Sequence, residues 1–284
     1  MSVQNLLNQV EQIQSSLPPS QRLVAAFVLN NYNQIPFLTI TKLAHAVGTS
    51  NNSVVKFCES LGYSKFTEFK AVFSSYAHDE LDMARKISTG QSISQKNNSF
   101  LREIQENSES ISTTLSDPHN CETIPTVVEK INAAKNIYVF GARSSALFAS
   151  QLAYQLRYLG LRVQIIPDNS YYLDILSTTG PGDLLIAYSF PRYIKSTLTG
   201  LRTAHTNGVD TVVFTDSELS PAVSLADLSL FCSIKTSSYF LCCTGCIALS
   251  DLICNAVATS RREAAIKSVR LIERHLYREG YLSK

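Results

Sequence analysis

Arg143, Ser144 and Ser145 stand in consecutive positions directly after a pair of small residues, Gly141-Ala142. The run N-I-Y-V-F-G-A-R-S-S-A over 136–146 reads as a short apolar strand (Ile137, Tyr138, Val139, Phe140) that stops at Gly141 and turns straight into a helix. A turn of that kind presents backbone N–H groups and two hydroxyls at the positive end of a helix, where an anion is favoured. Two later runs repeat the arrangement. Asp183–Ser189 and Thr211–Thr215 each read as an apolar strand ending in a polar loop, the first continuing as Ser189-Phe190-Pro191-Arg192-Tyr193-Ile194. Ligands of open α/β sheets gather beyond the carboxyl ends of the parallel strands, so the three loops should converge on one pocket. The chemistry expected there is non-covalent binding of a small anion by Gly141, Arg143, Ser144, Ser145, Ser189, Arg192 and Thr215.

The elements around these loops alternate. Val127, Val128 and Ile131 belong to a helix that leads into the first strand. Then follow a helix over 145–159, a strand over 162–166, the strand of 184–188, a helix over about 194–206 that ends at Asn207-Gly208, and the strand of 211–215. A strand-like run at 228–234 and two long helices, about 238–258 and 262–279, complete the chain. Strands separated by helices of this length imply βαβ crossovers and a parallel sheet covered on both faces.

The N-terminal part has a different grammar. Val3, Leu6, Leu7, Val10, Ile13 and Leu17 lie at helical spacing before Pro18-Pro19, and Leu23, Val24, Phe27 and Val28 mark a second helix. Thr39 can cap a short helix carrying Ile40, Leu43, Ala44 and Val47, and Gly48 follows where a left-handed residue ends a helix sharply. Ser50 can cap the next helix, with Val54, Val55, Cys58 and Leu61 facing inward and Gly62 at its end. Helix, glycine turn, capped helix is the helix-turn-helix pattern, whose second helix enters the major groove. Ser50, Asn51, Asn52, Ser53 and Lys56 would then meet DNA; asparagine can bond adenine at two points and lysine can reach guanine or phosphate. Asn51-Asn52 also suits a plain helix start. From Pro19 to His78 five cations (Arg22, Lys42, Lys56, Lys65, Lys70) face two acids (Glu59, Glu68), a mild basic bias of 5 − 2 = +3.

Chain length and composition agree with two domains. The 284 residues are 45% hydrophobic, with a formal net charge of +2 that argues neither for nor against nucleic acid. No run approaches the roughly 18 apolar residues of a membrane span, and the start of the chain lacks the basic, apolar pattern of a signal peptide. Seven cysteines without an export signal read as reduced thiols, and the expected location is cytoplasmic. Residues 79–98 turn polar, with S-T-G-Q-S-I-S-Q-K-N-N, and read as a linker. The expected domains are therefore 1–78, the linker 79–98, and 99–284, the last opening on a helix with Phe100, Leu101, Ile104, Ile111 and Leu115.

The motifs extend to a family resemblance. L-x-x-S-x-R-x-V-A-x-x-V-L at 17–29, I-T-K-L-A-H-A-V-G-T-S-N-N-S-V-V-K-F-C-E-S-L-G-Y at 40–63 and F-x-E-F-K at 66–70 resemble the N-terminal domain of RpiR-type transcriptional regulators. Lys56 stands where that family often carries arginine, which keeps a phosphate contact and weakens bidentate reading of guanine. G-A-R-S-S-A, L-x-x-L-G at 156–160, D-L-L-I-A-Y-S at 183–189 and V-F-T-D-S-E-L-S-P-A at 213–222, with Ala226-Asp227 after it, resemble the sugar isomerase (SIS) domain that such regulators carry. The fold implied is α plus α/β: a small all-α helix-turn-helix domain joined to a SIS-type sandwich with a parallel sheet. The resemblance implies a regulator, with repression as the expected sign, of a sugar-metabolism operon. Its partners would be a double-stranded DNA operator and a phosphorylated sugar or related anion, its working form a homodimer or tetramer, and it would need no cofactor and no membrane.

The usual second SIS loop, S-x-S-G-x-[ST], is replaced by Ser189-Phe190-Pro191-Arg192-Tyr193-Ile194. Either Arg192 supplies charge-assisted bonds in place of the lost hydroxyls, with Ser196 and Thr197 nearby, or the pocket has changed ligand and Arg192 is solvated or paired. Aldose–ketose isomerisation needs a positioned base, and Glu218, His205, Glu263 and His275 form no recognisable constellation. The expectation is a sensor and not an enzyme; the alternative is a sugar-phosphate isomerase or an enzyme-regulating SIS protein. Cys242-Cys243-x-x-Cys246, flanked by apolar residues, reads as helix packing and not as a metal site. The arginine-rich last helix reads as a solvated face.

Overall fold

The computed structural model describes residues 3–32, 34–80, 99–236 and 238–281. The chain divides into two compact units, Met1–Ser94 and Gln95–Lys284. The expected linker lies, from residue 81 to 98, outside the described residues.

The first unit is all helical: α1 (Val3–Gln14), α2 (Pro19–Asn31), α3 (Ile40–Val47), α4 (Asn51–Ser60) and α5 (Phe66–Glu80). Val3, Leu6 and Val10 of α1 are buried, as the spacing predicts. In α2 the inward face is Val24, Ala25 and Val28, while Leu23 is 52% exposed. The two caps form as expected. Thr39 Oγ1 accepts from the Lys42 N–H at 3.2 Å, and Ser50 Oγ accepts from the Ser53 N–H at 3.2 Å. Gly48, at φ 70°, closes α3 with its N–H on the His45 carbonyl, while the Thr49 N–H reaches the Ala44 carbonyl at 2.8 Å. This paired closure turns the chain within two residues and sets the angle between α3 and α4. Phe57, fully buried, meets Phe69 edge-on at 5.7 Å, and Phe69 meets Phe73 at 5.0 Å. Burying a side chain of that size stabilises the unit by roughly 1.5–3 kcal/mol.

The second unit carries a five-stranded parallel sheet of β1 (Ile137–Gly141), β2 (Val163–Ile166), β3 (Leu184–Tyr188), β4 (Asp210–Thr215) and β5 (Leu228–Phe231), in the order β2-β1-β3-β4-β5. Its helices are α6 (Ser99–Leu115), α7 (Pro118–Ala133), α8 (Ser145–Tyr158), α9 (Tyr172–Ser177), α10 (Lys195–Thr206), α11 (Thr244–Ser260) and α12 (Arg262–Arg278). Alternation along each strand feeds two cores. Val139, Ile186 and Val212 pack with α7, α8 and α11 on one face; Phe140, Leu185, Ala187 and Val213 pack with α9 and α10 on the other. A sheet buried on both faces explains why β3 is apolar at all five positions.

Edge strand β5 is pinned by a side chain. Asn120, fully buried, donates to the Phe231 carbonyl at 2.7 Å and accepts from the Phe231 N–H at 2.8 Å, standing in for a neighbouring strand. Helix α6 departs from its apolar pattern: Phe100, Leu101 and Ile104 are more than half exposed, and Ser110 and Thr114 are buried instead. Ser110 Oγ donates to the Ser233 carbonyl at 2.6 Å, and Thr114 Oγ1 accepts from the Ser233 N–H at 2.9 Å. Gly245 permits this, because a Cβ there would run into Thr114 and Ser110.

Candidate functional site

The strand order decides where a ligand can enter. From β1 the chain passes into α8 on one face of the sheet, and from β3 into α10 on the other. Connections that part this way open a crevice beyond the carboxyl ends of β1 and β3, the switch point of a doubly wound sheet. The loops that flank it are those carrying Arg143 to Ser145 and Ser189 to Tyr193.

On the first lip Gly141 is required sterically, since a Cβ there would strike the Ser145 carbonyl. Arg143 takes φ 54° and is exposed with Ser144, while Ser145 lies 9% exposed at the start of α8. The expected cradle of backbone N–H groups is already engaged. The N–H groups of Ser145, Ala146 and Leu147 donate at 3.1 Å to the carbonyls of Ala142, Arg143 and Ser144, and that of Arg143 donates to Asp168 Oδ2 at 2.8 Å. The tight turn that Gly141 allows folds the Ser145, Ala146 and Leu147 donors back on the chain, while the Arg143 N–H is held by a carboxylate from the loop after β2.

The second lip is strained. Arg192 has φ 82° and Tyr193 φ 31°, and the left-handed region costs about 1–2 kcal/mol for each non-glycine residue. Tyr193 holds the turn in place: its ring is buried, its N–H meets the Phe190 carbonyl at 2.8 Å, and its hydroxyl donates to Asp216 at 2.9 and 3.0 Å. Burial raises the Asp216 carboxyl above its ordinary range, with the Tyr193 bond opposing, and burial followed by the Asp216 charge raises the Tyr193 phenol. Phe190 is anchored below the turn, edge-on to Phe148 at 6.3 Å. Arg192 is thereby left exposed at the apex.

Thr215 differs from its expected role. It is fully buried, and its hydroxyl donates to the Ser189 carbonyl at 2.7 Å and to Asp216 at 3.2 Å, so it fastens the β3 loop to the β4 loop. Ser189 is 2% exposed and its N–H donates to the Phe214 carbonyl at 2.9 Å. Its Oγ, like that of Ser217 in the loop after β4, is buried without a hydrogen-bond partner among the described residues. Unpartnered buried hydroxyls at strand ends are costly unless something else meets them. Helix α10 starts without a side-chain cap, and its Ser196 hydroxyl donates to Asp168 Oδ1 at 3.3 Å. Asp168, Tyr193 and Asp216 are absent from the sequence-based set. The strand-end rule, applied to β2 as well, would have found Asp168 two residues past Ile166.

In the first unit, Asn51, Asn52 and Lys56 are exposed on α4. Ser50 and Ser53 serve the cap, with their hydroxyls 3.1 Å apart, and Asn51 Nδ2 reaches Thr41 Oγ1 at 3.4 Å, tying α4 to α3. Phe57, not Val55, supplies the inner face beside Val54 and Cys58. Lys70 faces inward: its ammonium donates to the Leu38 carbonyl at 2.9 Å, and burial lowers its pKa. The basic surface is therefore smaller than the residue count implies.

The cysteine cluster straddles a helix end. Helix α11 starts at Thr244, later than expected, so Cys242 and Cys243 precede it and Cys246 is buried in the core with Leu249 and Ile253. Burial pushes the Cys243 and Cys254 thiols up to about 12, keeping them protonated, as suits packing groups.

A capped helix-turn-helix and a doubly wound sheet with a polar switch-point crevice define a DNA-binding regulator with an α/β sensing domain. Residues 4–79 match the helix-turn-helix domain of the rpiR family, and residues 130–243 match the SIS domain. An uncharacterised HTH-type transcriptional regulator from Providencia stuartii is 27% identical over 239 residues, 81% of each chain. One from Haemophilus influenzae is 24% identical, over 80% of this chain and 79% of its own. The sugar isomerase domain of an RpiR transcription factor from Sphaerobacter thermophilus is 29% identical, with a TM-score of 0.60 over 63% of this chain and 99% of that one. The Vibrio vulnificus NanR protein, complexed with ManNAc-6P, shares the fold over 98% of this chain and 100% of its own, at 22% identity and a TM-score of 0.66. The chain belongs to the RpiR-type transcriptional regulators.

Proposed function

We propose that this regulator represses a sugar-metabolism operon and is controlled by a phosphorylated sugar or related anion bound in the crevice beyond β1 and β3. The observation that carries the reading is the strained Pro191-Arg192-Tyr193 turn, held by Tyr193 and Asp216 so that Arg192 is exposed at its apex, three residues on from a buried Ser189 hydroxyl that has no hydrogen-bond partner among the described residues. An arginine can replace lost hydroxyls on a phosphate by two parallel charge-assisted bonds. Ser144, Ser145 and Arg143 lie on the other lip. NanR, whose overall fold is shared, holds a hexosamine phosphate, which favours the same ligand chemistry.

In this reading residues 1–78 bind the operator through Asn51, Asn52 and Lys56, with Ser50 and Ser53 shaping the helix start. Residues 79–98 connect, and 99–284 sense. Two copies would present two recognition helices to a near-palindromic site, and the effector would act by binding DNA-competent and incompetent forms with different affinity. Catalysis is not part of the proposal: the buried Asp216 carboxylate accepts from Tyr193 and Thr215 and serves the turn. The relatives that match most of the chain are named transcriptional regulators.

The test is binding to DNA upstream of the protein's own gene, measured across salt concentrations and titrated with a panel of hexose and hexosamine phosphates. Specific, salt-dependent binding released by one of them is expected. Failure to bind that DNA, together with isomerase turnover of a sugar phosphate, would replace this reading with the isomerase one.

A further inference from the structure

We propose that Asp168 is a latch on the effector crevice: its carboxylate holds donors that an anionic effector competes for, and binding of the effector releases the segment between β2 and α9. This rests on the reading of the β1/β3 crevice as the effector site. Asp168 Oδ2 accepts from the Arg143 N–H at 2.8 Å and its Oδ1 accepts from Ser196 Oγ at 3.3 Å. One carboxylate thus joins the first lip to the first turn of α10, the helix that follows the second lip. A phosphate oxygen would seek the same backbone N–H, the same hydroxyl and the uncapped start of α10.

Two like charges cannot share those donors at hydrogen-bonding distance without strong repulsion. Asp168 is the partner able to leave, because it is exposed and water can take over its hydrogen bonds. The other hydrogen bonds of the segment run within itself or to α9: the Tyr171 N–H donates to Asn169 Oδ1 at 3.0 Å, and the N–H groups of Tyr172, Leu173 and Ile175 in α9 donate to the carbonyls of Asn169, Ser170 and Tyr171. Loss of the Asp168 tether would free residues 167–171 from the first lip while they stay bonded to α9, which packs on α10. Ligand occupancy would then change the α9–α10 face of the sheet without any movement of the strands.

The experiment is calorimetric titration of the full-length protein and of Asp168→Ala, Asp168→Asn, Arg192→Ala and Ser145→Ala with inorganic phosphate and with glucose 6-phosphate. Amide hydrogen exchange of 168–171 is followed with and without phosphate. Removing the competing carboxylate should tighten phosphate binding on the order of tenfold in Asp168→Ala. Asp168→Asn, which keeps the acceptor oxygen and the volume, should also bind more tightly, by a smaller factor. Exchange at 168–171 should rise when phosphate is added to the unsubstituted protein. Binding that is unchanged or weaker in both Asp168 variants overturns the latch, as does slower exchange on binding. Arg192→Ala and Ser145→Ala separate the two claims. If both bind phosphate as the unsubstituted protein does, the crevice reading itself fails; if they weaken while the Asp168 variants bind no more tightly, only the latch fails.

Discussion

The α3–α4 pair and the crevice beyond β1 and β3 present polar groups in opposite ways. The helix pair builds its display from neighbours in sequence: Thr39 with Lys42, Ser50 with Ser53, and Gly48 closing on His45. Each contact spans three residues, so the exposed row of Asn51, Asn52 and Lys56 needs little from elsewhere beyond the Phe57–Phe69 core. The crevice is assembled from loops that are remote in sequence. Thr215 holds Ser189 across 26 positions, Tyr193 meets Asp216 across 23, and Asp168 meets Arg143 across 25. A surface of the first kind fails when its own core or caps fail; one of the second kind fails when any supporting loop shifts.

That contrast can be broken most forcefully at the two cores. Phe57→Ala should destabilise the first unit by about 4 kcal/mol, abolishing DNA binding while phosphate still binds the second unit; urea unfolding and calorimetry read both effects. Loss of phosphate binding as well would show that the two units do not stand independently. Gly141→Ala is the converse. Its Cβ would push on the Ser145 carbonyl, at a cost of about 2–3 kcal/mol, and should remove effector response while leaving operator binding in place.

Single contact residues sharpen the comparison further. Lys56→Ala should weaken operator binding by roughly tenfold and lower the salt slope by about one, with effector affinity unchanged. Arg192→Ala should weaken effector binding by about tenfold and leave operator affinity as it was. If either substitution moves both affinities in the absence of the other ligand, the separation of duties is wrong. The smallest effect belongs to the cap. Ser50→Ala should cost about 1 kcal/mol in thermal unfolding, with a parallel modest loss in DNA affinity.

Much of this organisation was readable in advance, for reasons that differ by region. The strands and crossovers followed from apolar runs at the right spacing, and the sheet order then placed Ser145 and Ser189 on the two lips. Thr215 was assigned to the pocket because it ends a strand, yet its hydroxyl is turned to the Ser189 backbone. Helix α6 misled for another reason. Its large apolar residues lie at the exposed end, and its buried face is chosen by Gly245, which lets Ser110 and Thr114 approach closely. Hydrophobic pattern ranks faces by apolarity, and a contact made of small hydroxyls and a glycine leaves no trace in that ranking.

The sequence by itself determined the caps, the glycine closure of α3, the alternation of strand and helix and the family that these define. All of them act through backbone geometry within a few residues or through a period set by the local conformation. Only the tertiary structure decided that the Arg143 N–H is taken by Asp168, that Tyr193 and Asp216 hold the left-handed turn at Arg192, and that Asp168 also reaches Ser196 in α10. Those contacts join residues more than 20 positions apart, and no local preference says which loops the sheet will bring together.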